Sequence, residues 1–241
     1  MTKPQLSAQD RSKRAAAERA VGEIRDGMVV GLGSGSTAEF AVEALAARIA
    51  QGLRVAAIPT SEKTASLARR LGVPLTGFAD HRRIDVAIDG ADQVERGTLT
   101  LVKGLGGALL REKIVASASG RLIIVVDETK LVGRLGGQTP LPVEIVPFGW
   151  QTVLDRLMAI GCLPSLRLAG EQPFVTDGGN YIADCLIAEI TDPASWEARL
   201  SAMVGVVETG LFIGLASEIV VGRSAGVEVI ETTRSRRSGP G

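Results

Sequence analysis

Through the first half of this chain, short apolar runs end in polar loops, and most of those loops feed a helical pattern. The runs occupy residues 28–32, 55–58, 84–88, 99–102 and 122–126. Helical spacing covers residues 8–25 and 37–50, and another helix begins after Ser61, which has the chemistry of an N-cap, and ends before Gly72 and Pro74. Strand-to-helix alternation of this kind predicts a parallel sheet covered by helices on both faces, a Rossmann-like α/β fold.

After Gly136-Gly137 the rhythm changes. Residues 143–146 read as a strand, 150–160 as a helix, and a further strand lies near Leu166. The turn Asp177-Gly178-Gly179-Asn180 joins two extended runs as a hairpin. A helix follows Asp192-Pro193, and residues 206–212 are extended again. This β-α-β-β-α-β order predicts a small inserted α+β domain of ferredoxin-like type. Runs at 219–221 and 227–230 are then expected to rejoin the first sheet. The expected division is therefore an α/β catalytic domain, 1–135 with 209–231, and a small domain, 136–208. Residues 232–241 hold three arginines and no large apolar residue, and a disordered tail is expected there.

Charge and composition exclude several classes. Lys+Arg and Asp+Glu each total 27, so no basic excess points to nucleic acid or an anionic membrane. The apolar run 122–126 is far too short to cross a bilayer, and residues 1–20 are polar and charged, without the apolar core of a secretion signal. A cytoplasmic protein is expected. Cys162 and Cys185 form no CxxC pattern and are expected as reduced thiols. His81 is the one histidine, which rules out a histidine-rich metal site and any Ser-His-Asp triad that does not use it.

Chemistry concentrates in four loops expected beyond the carboxyl ends of the strands, where open α/β sheets bind ligands. Gly33-Ser34-Gly35-Ser36-Thr37 enters a helix N-terminus, whose free N–H groups and dipole suit a phosphate. A dinucleotide is a poor match. The next strand ends in Pro59-Thr60 rather than an acidic residue, and no lysine of the Walker type follows Gly35. Asp89 and Asp92 flank Gly90-Ala91 and can accept hydrogen bonds from a polyol or exchange protons. Lys103 would bring a cation into the same pocket, which disfavours a metal there and suits a developing oxyanion. Lys130, in the fourth loop, supplies a second positive group for a phosphate. In the stretch from Lys103 to Lys113, Gly104, Gly106 and Gly107 permit close backbone approach and positive φ. Leu110, Ile114 and Ala118 recur at four-residue spacing and are expected to be the buried face of a helix. Glu112 lies off that stripe and has no cation three or four residues away, so it reads as a carboxylate aimed at a cleft.

Residues 31–37, 89–92 and 103–113 together resemble the three signatures of ribose-5-phosphate isomerase, type A, and residues 140–147, 175–180 and 205–212 are similar to later segments of that family. The resemblance spans most of the chain in the expected order. It implies interconversion of D-ribose 5-phosphate and D-ribulose 5-phosphate through an enediol(ate), in the pentose phosphate pathway, without metal or cofactor. It implies Glu112 as the proton-transferring base, Asp89 as an aid to ring opening, and Lys103 as the group that stabilises charge on oxygen. Ser34, Gly35, Ser36, Thr37, Asp89, Gly90, Ala91, Asp92, Lys103, Gly104, Leu105, Gly106 and Lys130 match its substrate-binding segments. A homodimer or homotetramer is implied as well. This chain has Ser34 where threonine is frequent, Gln93 where glutamate often follows, and Leu105 where some members have glycine. Two alternatives remain: a sugar-phosphate sensor, or another sugar-phosphate enzyme of the same fold group. A sensor usually adds a DNA-binding unit, for which there is neither room nor a basic patch. Retention of Glu112, Asp89, Asp92 and Lys103 together speaks against an amino-sugar phosphate deaminase or an acyl-CoA transferase.

Overall fold

The computed structural model describes residues 6–231, and the expected tail at 232–241 lies outside the described residues. The chain opens with α1 (Ala8–Val21), capped by the Ser7 hydroxyl, then runs β1 (Val29–Leu32), α2 (Ser36–Ala50), β2 (Ala56–Pro59), α3 (Glu62–Arg70) and β3 (Ile84–Asp89). Two short strands, β4 (Gln93–Glu95) and β5 (Leu101–Val102), precede α4 (Leu109–Ser117) and β6 (Ser119–Asp127). A single 3-10 turn at Glu128–Lys130 leads to β7 (Leu131–Val132). The next layer comprises β8 (Leu141–Ile145), α5 (Trp150–Ala159), β9 (Leu163–Leu166), the hairpin β10 (Leu168–Ala169) and β11 (Gln172–Pro173), β12 (Tyr181–Leu186), α6 (Pro193–Ser201) and β13 (Val206–Thr209). β14 (Leu211–Phe212), β15 (Glu218–Arg223) and β16 (Gly226–Glu231) close the described chain.

The main sheet has the order β16-β15-β6-β3-β1-β2, parallel from β2 to β15, with β16 antiparallel at one edge. Side chains alternate across it, as the two-residue period of a strand requires. Ile123 and Val125 join Val30, Leu32, Ala16, Ala20, Val42 and Leu45 on the face of α1 and α2. Leu122, Ile124 and Val126 join Val115, Ala116 and Phe212 on the face of α4. Gly31 allows α4 to seat closely, since a Cβ there would lie 2.6 Å from Val115 Cγ1. The sheet grows from β1 outward to β2, then resumes with β3 on the other side. The crevice for a ligand therefore opens at the carboxyl ends of β1 and β3.

Three expectations are corrected. Residues 99–102 do not supply a strand to the main sheet: β5 lies in a second sheet, ordered β14-β5-β4-β7, packed on the α4 side. Leu99 is buried but sits at φ +55°, in the tight connection between β4 and β5, so its apolarity reflects burial rather than strand geometry. Residues 206–212 are not one run. Gly210 breaks them, because it passes so near the Lys103 carbonyl that a Cβ would lie 2.3 Å from its oxygen. The chain thereby leaves one sheet at Thr209 and joins another at Leu211. Finally, Asp177–Asn180 turns an irregular stretch into β12, closed by Thr176 N–H on the Asn180 carbonyl at 2.8 Å, rather than joining two ladder strands.

The third layer is an antiparallel sheet ordered β13-β8-β12-β9, covered by α5 and α6, with Val143, Ile145, Val153, Leu157, Cys185 and Leu200 in its core. Its order and connections are those of a ferredoxin-like unit. The return to the main sheet is as expected: Ile219–Val221 pair in parallel with β6.

Candidate active site

A cavity of about 130 Å³ opens at the carboxyl ends of β1 and β3. Its wall brings together Ser34, Gly35, Ser36 and Thr37 from the first loop, Gly90, Ala91 and Asp92 from the second, Lys103, Gly104 and Gly106 from the third, and Glu112 and Lys130. Two residues of the expected set stand apart. Asp89 lies just behind the wall, and Leu105 is 42% exposed and offers its backbone rather than its side chain: its N–H donates to Asp92 Oδ2 at 2.9 Å. A larger cleft of about 530 Å³, between α1 and the β15–β16 turn, holds none of the Asp89, Lys103 and Glu112 cluster.

That cluster is the electrostatic centre. Asp89, Lys103 and Glu112 are each no more than 4% exposed. Lys103 follows β5, and its backbone N–H is fixed to the Gly210 carbonyl at 2.9 Å. Its ammonium donates to the Gly90 carbonyl at 2.6 Å and lies 3.1 Å from Asp89 Oδ2 and 3.3 Å from Glu112 Oε2. Asp89 Oδ1 accepts from the Ser34 and Gly90 N–H groups at 3.2 and 2.7 Å, which ties the first loop to the second. The ammonium is close enough to Glu112 for an ion pair, yet Oε2 is left without a well-directed hydrogen bond. A buried carboxylate oxygen without such a partner is rare enough to require a reason, and catalysis is one.

The expected buried stripe of α4 is corrected here. Leu109, Glu112, Val115 and Ala116 face inward, whereas Ile114 is 46% exposed. Glu112 thus shares the buried face with apolar neighbours. Burial raises its pKa to about 8, helped by the nearby Asp89 and Asp92 charges and opposed by Lys103. Burial also raises Asp89, against the pull of Lys103 and the two N–H donors. For Lys103 burial acts downward, but the carboxylates of Asp89, Glu112 and Asp92 outweigh it and push the lysine upward. The lysine therefore stays a cation at neutral pH, and the two buried carboxyls titrate as a coupled pair around it.

The other end of the cavity suits an anion. Gly35, at φ +94°, turns the chain into α2 without a capping side chain, which leaves the first N–H groups of the helix free. Gly33 is required for a different reason: a Cβ there would fall 2.1 Å from Asp89 Oδ1. The Ser34 hydroxyl is turned into a cluster with Thr60 and Ser61 at 2.8 Å and Thr64 at 3.2 Å. Gln9 and Lys13, from α1, complete the wall, and the Lys13 ammonium reaches Ser36 Oγ at 3.3 Å. Sequence reasoning missed both, since a lysine and a glutamine on the polar face of a helix look like solvated residues. Only the packing of α1 beside α2 puts them on the cavity wall.

An open α/β sheet that gathers two buried carboxyls around one lysine, beside an uncapped helix N-terminus suited to an anion, defines an acid–base enzyme of the Rossmann-like class. The family model of ribose 5-phosphate isomerase A (phosphoriboisomerase A) matches residues 56–226. The chain is 56% identical over 218 residues to ribose-5-phosphate isomerase A of Gloeobacter violaceus, spanning 90% of this chain and 95% of that protein. It is 50% identical to the protein of the same name from a Synechococcus species, over 95% and 99% of the two chains. Among solved structures, ribose 5-phosphate isomerase A from Methanocaldococcus jannaschii superposes with a TM-score of 0.89 at 37% identity, over 92% and 99% of the chains. A D-ribose-5-phosphate isomerase in complex with phospho-erythronic acid gives 0.90 at 36% identity, over 93% and 99%. This chain belongs to the ribose 5-phosphate isomerase A family. Among the described residues, no helix is long and apolar enough to cross a membrane.

Proposed function

We propose that this chain interconverts D-ribose 5-phosphate and D-ribulose 5-phosphate, with Glu112 moving a proton between carbon 2 and carbon 1. The observation that carries this assignment is the Glu112 carboxyl itself: buried, raised to about 8, open to the cavity, and 3.3 Å from a fixed cation. A carboxyl tuned close to neutral pH can both take and return a proton, as an enediol(ate) route requires. Lys103 faces the negative charge that develops on the sugar oxygens. Opening of the furanose moves a proton from the anomeric hydroxyl to the ring oxygen. We assign that exchange to Asp89, with Asp92 on the wall accepting from sugar hydroxyls.

The first turn of α2, with Ser36 and Thr37, binds the phosphate between Lys13 and Lys130. The ligand held by one of the solved relatives fits this division. Phospho-erythronic acid carries a planar carboxylate at one end and a phosphate at the other, matching the charge layout of an enediolate intermediate. The remaining parts of the reading are residues 136–208 as a small inserted domain and a homodimer or homotetramer in the cytoplasm. Exposed Phe148, Leu163 and Val204 on the third layer favour a covered surface, and light scattering would count the copies. The activity is tested with purified protein and ribose 5-phosphate in the presence of a chelator. Turnover should persist. Loss on chelation, reversed by a divalent ion, would refute the metal-free mechanism.

A further inference from the structure

The third layer hydrogen-bonds the backbone of the Gly104–Gly107 turn through Arg167. Arg167, between β9 and β10, is 13% exposed and fills both edges of its guanidinium. Nε donates to Asp184 Oδ2 at 2.8 Å and Nη2 to the other oxygen of the same carboxylate. Nη1 donates to the carbonyls of Gly104 and Leu105, at 2.9 and 3.1 Å. Those two peptides form the turn directly after Lys103. Gly104 stands at φ +107° and Gly107 at φ +82°, and the turn's own tie is the Gly107 N–H on the Gly104 carbonyl at 3.0 Å, the same oxygen that Arg167 meets. The Phe174 ring covers Gly107, where a Cβ would lie 2.5 Å from Phe174 Cζ, and Phe174 N–H donates to the Arg167 carbonyl at 2.9 Å. On its opposite side the turn gives the Leu105 N–H to Asp92 Oδ2.

We propose that Arg167, held by Asp184 and Phe174, is a positioning residue for the isomerisation, fixing the Gly104–Gly107 turn so that Lys103 and Asp92 face the sugar. The inference rests on the reading of this cavity as the isomerase site. Only arginine suits the task. A planar fork can meet a carboxylate along one edge and two carbonyls from the other, whereas a lysine ammonium is a point donor. A residue that merely fastened two layers would have no cause to grip the two peptides next to the catalytic lysine.

The experiment compares Arg167→Lys and Arg167→Met with the parent enzyme for kcat, KM, inhibition by inorganic phosphate and thermal stability. The expected result is a fall in kcat of up to about 10²-fold, the cost of misplacing reacting groups by about 1 Å. Inhibition by phosphate should be unchanged, because its loop is built separately, and Arg167→Lys should not restore kcat. A normal kcat with lowered thermal stability would reduce Arg167 to a fastener and overturn the proposal. Should Arg167→Met fail to fold, Phe174→Leu decides on the same readouts: lowered kcat with normal phosphate inhibition supports positioning, and normal kcat overturns it. Glu112→Gln measured alongside separates the two readings. If that variant is inactive while Arg167→Lys is normal, only the positioning role falls. If Glu112→Gln is itself normal, the base assignment falls.

Discussion

Residues 33–37 and residues 103–108 each carry the chain through glycines from a strand into a helix, but the first loop is supported by hydroxyl groups and the second by charge. In the first, the Ser34 hydroxyl has three partners, and its backbone N–H has Asp89. Losing one neutral hydrogen bond among several costs about 1 kcal/mol. In the second, Lys103 faces Asp89 and Glu112 in a buried setting, so removing Lys103 leaves a buried carboxylate unpaired and removing Asp89 takes away the ammonium's nearest carboxylate. The loop proposed to hold the phosphate can thus lose a single contact and keep its shape. The proton-transfer end has no such slack.

The sharpest way to break this contrast is Glu112→Gln, which keeps the shape and removes the basic oxygen. Isomerisation should fall by at least about 10²-fold, the lower bound for a positioned base. Solvent exchange of the carbon 2 hydrogen should fall in parallel, while inhibition by inorganic phosphate stays normal. Exchange at the parent rate would remove Glu112 from the mechanism.

The same carboxyl is expected to set the pH dependence. A base must be deprotonated, so kcat/KM should rise with pH through about 8 and level off above it. Stability runs in the opposite sense. A carboxyl whose folded pKa lies above its ordinary 4.5 contributes stability that is present below 4.5 and lost as pH rises through about 8. Glu112→Gln should therefore gain on the parent in denaturant melts at pH 9 relative to pH 4. Asp89, raised in the same direction, remains in both proteins. An unchanged difference between the two pH values would show that Glu112 is not held neutral by burial.

The two loops also differed in how far the sequence disclosed them. Residues 33–37 follow a strand of the main sheet and enter a long helix, so strand-to-helix alternation located them directly. Residues 103–108 stand out by composition and resemblance, but strand-to-helix alternation assigns the strand before them to the wrong sheet. A two-residue strand such as Leu101–Val102 is too short to show a period, and buried Leu99 at φ +55° extended the apolar run beyond it. α4 is apolar on both faces, so spacing favoured the stripe through Ile114 over the inward face that holds Glu112. Lys13 gives no sign at all, since its place on the cavity wall comes from the packing of α1 beside α2.

A smaller effect is expected at the phosphate. Lys13→Met and Thr37→Ala each remove one partner of a charged ligand, worth about 1.5 kcal/mol or on the order of tenfold in binding. KM should rise by that factor, with kcat nearly unchanged if the loop grips ground state and transition state alike. A matching fall in kcat would show that phosphate binding is used to drive the chemistry, and the separation of the two loops would dissolve.

The smallest expected effect probes the hydroxyl cluster itself. Ser61 caps α3 by accepting the Thr64 N–H at 3.1 Å, donates to Thr64 Oγ1 at 3.0 Å, and receives the Ser34 hydroxyl at 2.8 Å. Loss of an N-cap hydroxyl costs about 1 kcal/mol, so Ser61→Ala should shift a denaturation midpoint measurably. Kinetics should hardly move, because Ser34 keeps Thr60 and Thr64 as partners and its N–H stays on Asp89. A rise in KM equal to that of Thr37→Ala would contradict this. It would mean that the cluster sets the shape of the phosphate loop through a single contact, leaving the first loop as intolerant of loss as the second.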